Sequence, residues 1–175
     1  MMNKILTRTT ALTLAVLAAG CVTSAPEPQA PALPKVAPEQ RLAAVEAAAG
    51  QDDKELAVQP LRDPQVEDLR EAASGARARR DYAAAAAALN QALLIVADDP
   101  AVLQERAEVA LLQSEFERAE TLARRAYDLG SQVGPLCRRH WATIEQSRLA
   151  RGETENAGSA QAQIAACTVP GINRM

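Results

Sequence analysis

A self-match at a fixed spacing restricts the folds open to this chain more than any other feature. Asp81-Tyr82 and Glu115-Phe116 lie 34 residues apart. At the same shift Leu69 falls on Leu103, Ala73 on Ala107, Ala76 on Ala110, Ala85 on Ala119 and Ala92 on Ala126. Such a period belongs to units that cannot bury an apolar face alone and must stack to share one core. The residue types say what the unit is. The 175 residues include 39 Ala and only four aromatics, Trp141, Tyr82, Tyr127 and Phe116. Ala is the best helix former, whereas a sandwich or barrel draws on β-branched and aromatic residues. The expectation is all-α, with Ala letting paired helices approach closely and an aromatic filling the space beneath each turn. Coincidence among Ala-rich helices can account for the Ala pairs but not for the aromatics and the breaks.

Those breaks set boundaries. Asp63-Pro64 and Asp99-Pro100 each pair a capping carboxylate with Pro at the first helical position, where its missing N–H costs nothing. Gly134-Pro135 places the next Pro 35 residues after Pro100. Turns fall at Arg80-Asp81, Gln113-Ser114, 130–134 and Arg151-Gly152. The sequence therefore predicts three hairpins: 64–79 with 82–97, 100–113 with 116–129, and 135–150 with 154–167.

This pattern resembles the tetratricopeptide repeat (TPR), a helix–turn–helix of 34 residues, from Asp63 to Cys167. The acidic-aromatic pairs, the small residues Ala73, Ala85, Ala92, Ala107, Ala119 and Ala126, and the Leu69/Leu103 pair carry the resemblance. Arg106 departs from it, standing where an aliphatic is usual. So do Ala76 and Ala110, in place of an aromatic, and Ala97 and Ser131, in place of the closing Pro. The third repeat is degenerate, with Trp141 and Ile144 as its expected core residues and Gly152-Glu153-Thr154 at its turn.

The N-terminus reads as an address. Lys4 and Arg8 precede an apolar run from Ala11 to Ala19, too short to span a bilayer. Leu17-Ala18-Ala19-Gly20-Cys21 resembles the lipobox of bacterial lipoproteins. That resemblance implies removal of residues 1–20 and acylation of Cys21, with several acyl chains giving durable anchoring. Val22 after the Cys implies outer-membrane sorting. An ordinary cleaved signal with a chance Cys is the alternative. Without Lys4 and Arg8, seventeen basic side chains face twenty-two acidic ones, a net charge of −5. Acidic balance with dispersed Arg disfavours nucleic acid.

Residues 21–62 then read as the lipidated Cys and a flexible Pro/Ala-rich tether. Pro26, Pro28, Pro31, Pro34 and Pro38 fall within thirteen residues, and Pro excludes a helix interior or a central strand. A short helix over Arg41–Ala49 is the one element expected there. From Val22 to Arg62 a polyproline II chain would reach about 130 Å. Residues 63–175 form the expected helical domain with a short tail.

Two cysteines remain. In a periplasmic setting an even remainder suggests a disulfide. Cys137 lies 15 residues before Gly152 and Cys167 lies 15 after it. An antiparallel turn at Gly152 would therefore set them side by side. Two buried free thiols are the other reading.

Chemistry is not evident. His140 is the only His, and no nucleophile or orienting acid accompanies it. Glu105, Glu108, Glu115, Glu117 and Glu120 fit solvated helix faces with Arg at helical spacing. The Arg pairs and clusters at Arg77-Arg79-Arg80, Arg124-Arg125 and Arg138-Arg139 read mostly as helix surface. No phosphate-binding glycine loop, zinc-protease helix or Gly-x-Ser-x-Gly turn is present. The expectation is no enzyme, no metal and no cofactor beyond the lipid on Cys21.

Binding remains. In tetratricopeptide arrays the first helices of successive hairpins line a groove for a partner segment. Carried onto this sequence, the groove residues are Glu67, Arg70, Ser74, Arg77, Ala101, Gln104, Glu108, Arg138 and Glu145. The layout of lipid anchor, long arm and small repeat domain resembles LpoP-like activators of class A penicillin-binding proteins. It implies a non-catalytic adaptor at the periplasmic face of the outer membrane, bound to a periplasmic protein. The alternative is an assembly or pilot lipoprotein of a pilus, secretin or outer-membrane insertion machinery.

Overall fold

Helix starts are fixed by Asp. The Asp63 side chain accepts from Gln65 N, Asp99 from Ala101 N and Val102 N, and Asp81 from Ala84 N. Each satisfies amide donors that the first helical turn leaves open. In the computed structural model, which describes residues 35–50 and 63–168, these caps open three of seven helices. They are α1 Pro38–Ala49, α2 Pro64–Ala78, α3 Tyr82–Ile95, α4 Pro100–Leu112, α5 Phe116–Leu129, α6 Gly134–Ala150 and α7 Thr154–Ala166. The described residues are all helix and connection, with no strand. The signal over 1–20, Cys21, the arm from Val22 to Pro34, residues 51–62 and the tail from 169 lie outside the described residues.

The three hairpins α2–α3, α4–α5 and α6–α7 stack in chain order. Each turn uses one residue with left-handed backbone: Arg80 at φ 61°, Ser114 at φ 62° and Gly152 at φ 78°. The following amide closes the helix behind it, with Asp81 N to Ala76 O at 2.9 Å, Glu115 N to Ala110 O at 2.9 Å and Glu153 N to Arg148 O at 3.0 Å. Only Gly152 takes this conformation without steric cost; a side chain there costs roughly 1 kcal/mol. The third repeat is degenerate in sequence for a simple reason. α6 has 17 residues against 13 in α4, about one extra helical turn, so its turn falls late against the 34-residue register.

Alanine makes the close contacts. Ala76, Ala85, Ala92, Ala107, Ala110, Ala119, Ala123, Ala126 and Ala160 are buried, together with Val66, Leu89, Leu103 and Ile144. Helix α4 is central and buried from Val102 to Leu112 except at Glu105. Tyr82 and Phe116 sit at the heads of α3 and α5 against the core, as the repeat predicts. Trp141 packs edge-on against Tyr127 at 5.1 Å, with Arg124 stacked 5.6 Å from its ring centre. Arg106, the odd residue of the repeat, is buried. Its Nε donates to Asn90 Oδ1 at 3.0 Å and its guanidinium lies 3.6 Å from Glu115.

The expected domain boundary at Asp63 needs revision. The helix expected over Arg41–Ala49 begins three residues earlier and does not belong to a free arm. It runs antiparallel along α6, with Arg41 near Gln146 and Ala49 near Arg138, and contacts α4, burying Leu42 and Val45. Periodicity gave no warning, because α1 has no counterpart in the repeat.

Cys137 and Cys167 are bonded, with Cα atoms 5.7 Å apart, and Gly134 N donates to Cys167 O at 2.8 Å beside them. The bridge ties the start of α6 to the end of α7 across a separation of 30 residues. Loop closure of that length is worth about 3–4 kcal/mol. We expect Cys137→Ser/Cys167→Ser to lower the unfolding free energy by about 3 kcal/mol in urea titration, without loss of helical circular dichroism.

Candidate functional site

The first helices of the three hairpins, α2, α4 and α6, meet along one face through charge. Glu108, on the central helix, is fully buried at 0% exposure. Arg139 of α6 donates from Nη2 to Glu108 Oε2 at 2.7 Å and from Nε to its other oxygen. Arg77 of α2 reaches Glu108 Oε2 at 3.3 Å. Beside them Arg70 of α2 holds Glu105 of α4 through Nε at 3.0 Å and a second bond from Nη2, and its Nη1 turns back to Glu67. Hydrogen bonding to Glu105 raises the Arg70 pKa above its ordinary value. Burial, the largest single influence, lowers the Arg139 pKa, but the charge and hydrogen bonding of Glu108 together with the charges of Glu105 and Glu46 outweigh it, and the net shift is upward.

A neutral network continues behind Glu108. Gln104 Nε2 donates to Glu108 Oε1 at 2.9 Å and to Thr143 Oγ1 at 2.8 Å. Because a carboxylate only accepts, this fixes the amide orientation and leaves Gln104 Oε1, 2.7 Å from His140 Nδ1, as the acceptor. His140 is thus the Nδ1–H tautomer, 1% exposed. Its pKa is pushed down to about 4 by burial and then by the adjacent Arg139 charge. It is a packed, neutral core histidine, joined through Gln104 to Thr143 and Glu108.

What stays open is a cleft of about 180 Å³ lined by Arg70, Ser74, Arg77, Glu105, Val109 and Arg139. A larger, open hollow of about 430 Å³ follows the outer side of α5 between Glu117, Arg124, Arg125 and Arg151. Its charges largely satisfy one another, since Glu120 accepts from Arg124, Arg148 and Arg151. No group of three metal-ligating side chains occurs among the described residues.

The groove residues expected from the repeat divide sharply. Glu67 and Ser74 are exposed, and Arg70, Arg77, Ala101 and Glu145 are half-buried. Burial raises the pKa of Glu145. Gln104, Glu108 and Arg138 are buried and do not line an open groove; Gln104 and Glu108 link the first helices. Arg138 is covered by α1, whose last carbonyl, Ala49 O, accepts from it at 2.8 and 3.0 Å. Glu108 and Glu120 are likewise clamped between Arg residues rather than solvated, as expected from helical spacing alone. Sequence reading missed Glu105, Arg139 and Thr143 as members of this face. A usable signal existed: Arg70–Glu105, Arg77–Glu108 and Glu108–Arg139 are separated by 35, 31 and 31 residues, so opposite charges recur about one repeat apart.

No protein-family model matches the chain, and no curated protein matches it. Among solved structures it is similar to the globular C-terminal domain of P. aeruginosa LpoP, with 28% identity and a TM-score of 0.57, over 60% of this chain and 99% of that one. The fold is therefore LpoP-like in its helical domain.

Two outcomes follow from the buried polar groups. Removing Arg139 takes two hydrogen bonds from buried Glu108 and leaves it Arg77 and Gln104, a partial loss of compensation. Arg139→Ala should accordingly cost about 2 kcal/mol in chemical denaturation. His140 has a folded pKa below its unfolded value, so the unfolded chain takes up its proton first as pH falls. Its contribution is complete above about pH 6.5 and lost progressively toward pH 4, up to about 3 kcal/mol. His140→Asn keeps a donor toward Gln104 and removes this titration. Melting curves of the variant should fall less steeply than the wild type across that window.

Proposed function

We propose that the chain is a non-catalytic adaptor, anchored by lipid on Cys21 to the periplasmic face of the outer membrane. Its helical domain binds a class A penicillin-binding protein and favours the active state of that peptidoglycan synthase. The observation that carries this reading is the LpoP-like helical domain, set behind an N-terminus that resembles a lipoprotein signal and a Pro-rich arm. LpoP-like activators combine these parts, and the reading rests on that resemblance. No helix among the described residues is long and apolar enough to cross a membrane.

The mechanism is a population shift. A domain that binds one synthase conformation more tightly raises its occupancy by the difference in affinity and contributes no reacting group. The tetratricopeptide-like first-helix face supplies the contact, with Arg70, Arg77 and Arg139 presented along the cleft and Glu67 and Ser74 on its rim. An arm of limited length sets whether the domain reaches its target.

The test is a crosslinking pull-down from membranes with the lipidated protein, followed by synthase assays. We expect recovery of a class A penicillin-binding protein, a rise in its polymerisation rate, and about a tenfold weaker interaction for Arg70→Ala/Arg77→Ala. Deleting Val22 to Pro34 should abolish activation in cells with helical content unchanged. Recovery of secretin, pilus or insertion-machinery subunits alone would replace this reading with an assembly adaptor.

A further inference from the structure

Helix α1 does not belong to the repeat, yet it packs on the repeat's first helices. It contacts α4 and α6, the first helices of the second and third hairpins. Arg41 donates to Gln146 O of α6 at 3.4 Å, and Arg138 of α6 donates to Ala49 O at the other end of α1. Its contact with α6 is as extensive as that between successive hairpins, but few of its side chains are both apolar and buried. Val45 at 0% exposure and Leu42 at 9% are its buried aliphatics, with Ala48 beside them. The Arg41 guanidinium lies 5.7 Å from the Phe116 ring centre, and Glu39 accepts from Tyr82 OH at 2.8 Å.

Beneath α1 the hairpins present apolar surface. Ala110, Leu111, Leu112 and Ala142 form one cluster with Leu42 and Val45, and such a surface is not left bare in water. A helix of 12 residues is too short to persist alone, so α1 is helical because this face holds it. The two halves of the first-helix face thus differ. Between α2 and α4 the charged cleft is open, and between α4 and α6 the apolar half carries a helix from the chain's own N-terminal side.

We propose that α1 is a detachable stand-in for a partner helix. It lifts from α4 and α6, and a short amphipathic helix of the partner takes its place. The pattern that fits is α1's own: an Arg followed by aliphatics at the next position and three beyond, then a small residue three further, as in Arg41, Leu42, Val45 and Ala48. The neighbouring cleft, with Arg70, Arg77 and Arg139, reads the flanking polar residues. This inference rests on the adaptor reading and adds its regulation, since the face becomes available only when α1 yields. A released α1 stays covalently joined to α2, so its return is an intramolecular step. An incoming segment must compete with that.

The probe is a fluorescein-labelled peptide with the sequence of residues 36–50, titrated onto the mature full-length chain and onto Leu42→Asp/Val45→Asp in that chain. We expect the peptide to bind the double variant with micromolar affinity and the wild type at least tenfold more weakly. A peptide carrying Val45→Asp should bind neither. No binding to a variant that keeps its helical circular dichroism overturns the proposal, as does equal binding to both chains. Hydrogen exchange on the unmodified chain decides the matter if the variant does not fold. Amides of α1 should exchange at least tenfold faster than those of α4 and α6, and equal protection overturns the proposal. Finally, the periplasmic domain of a class A penicillin-binding protein is added to the variant–peptide complex. Displacement supports a shared face; a synthase that binds and leaves the peptide in place overturns it. A synthase that never binds, with peptide competition intact, refutes the adaptor's assignment to synthases and supports α1 release to another helix.

Discussion

Close approach through alanine is the constraint on which this domain depends. Ala76 and Ala85 within the first hairpin, and Ala110 and Ala119 within the second, remove the side-chain bulk that would otherwise hold paired helices apart. The consequence is a core poor in apolar area. A buried methyl-sized group contributes roughly 0.8 kcal/mol, against about 1.5–3 kcal/mol for a Leu or Val side chain. One such hairpin cannot support itself, and stacking is obligatory. What the alanines do not supply comes from elsewhere: a disulfide across the last hairpin, the aliphatics of α1, and ion pairs that link one first helix to the next.

Those ion pairs explain why charge sits inside so small a protein. Glu108 at the middle of α4 is held by α2 through Arg77 and by α6 through Arg139, so one carboxylate fixes the register of three helices. Buried pairs of this kind seldom add much net stability over an apolar packing, yet breaking one is costly. They specify which helix faces which, a useful property where Ala-on-Ala contacts are nearly interchangeable. Arg77 and Arg139 also line the open cleft, so groups that set the geometry of the array give that cleft its charge.

Much of this was legible in the chain. Asp63-Pro64, Asp81-Tyr82 and Asp99-Pro100 placed helix starts because capping is local chemistry. The equal distances of Cys137 and Cys167 from Gly152 anticipated their pairing because an antiparallel hairpin is symmetric about its turn. The long third helix blurred its repeat, and the docking of the helix expected over Arg41–Ala49 had no repeat to announce it. Gln104, Glu108 and Arg138 read as groove residues because position on a first helix is periodic, whereas burial depends on what lies across from that position.

Sequence alone determined the all-helical class, the hairpin boundaries and the alanine seams, since caps, turns and small-residue periodicity act within a few residues of one another. The resemblance to a lipoprotein signal and arm was likewise written in consecutive residues. Tertiary structure decided that α1 lies on α4 and α6, that Glu108 is clamped rather than solvated, and that the first-helix face is half covered and half open. Each of these turns on which side chain meets which across 31 residues or more, and only packing settles contacts at that separation.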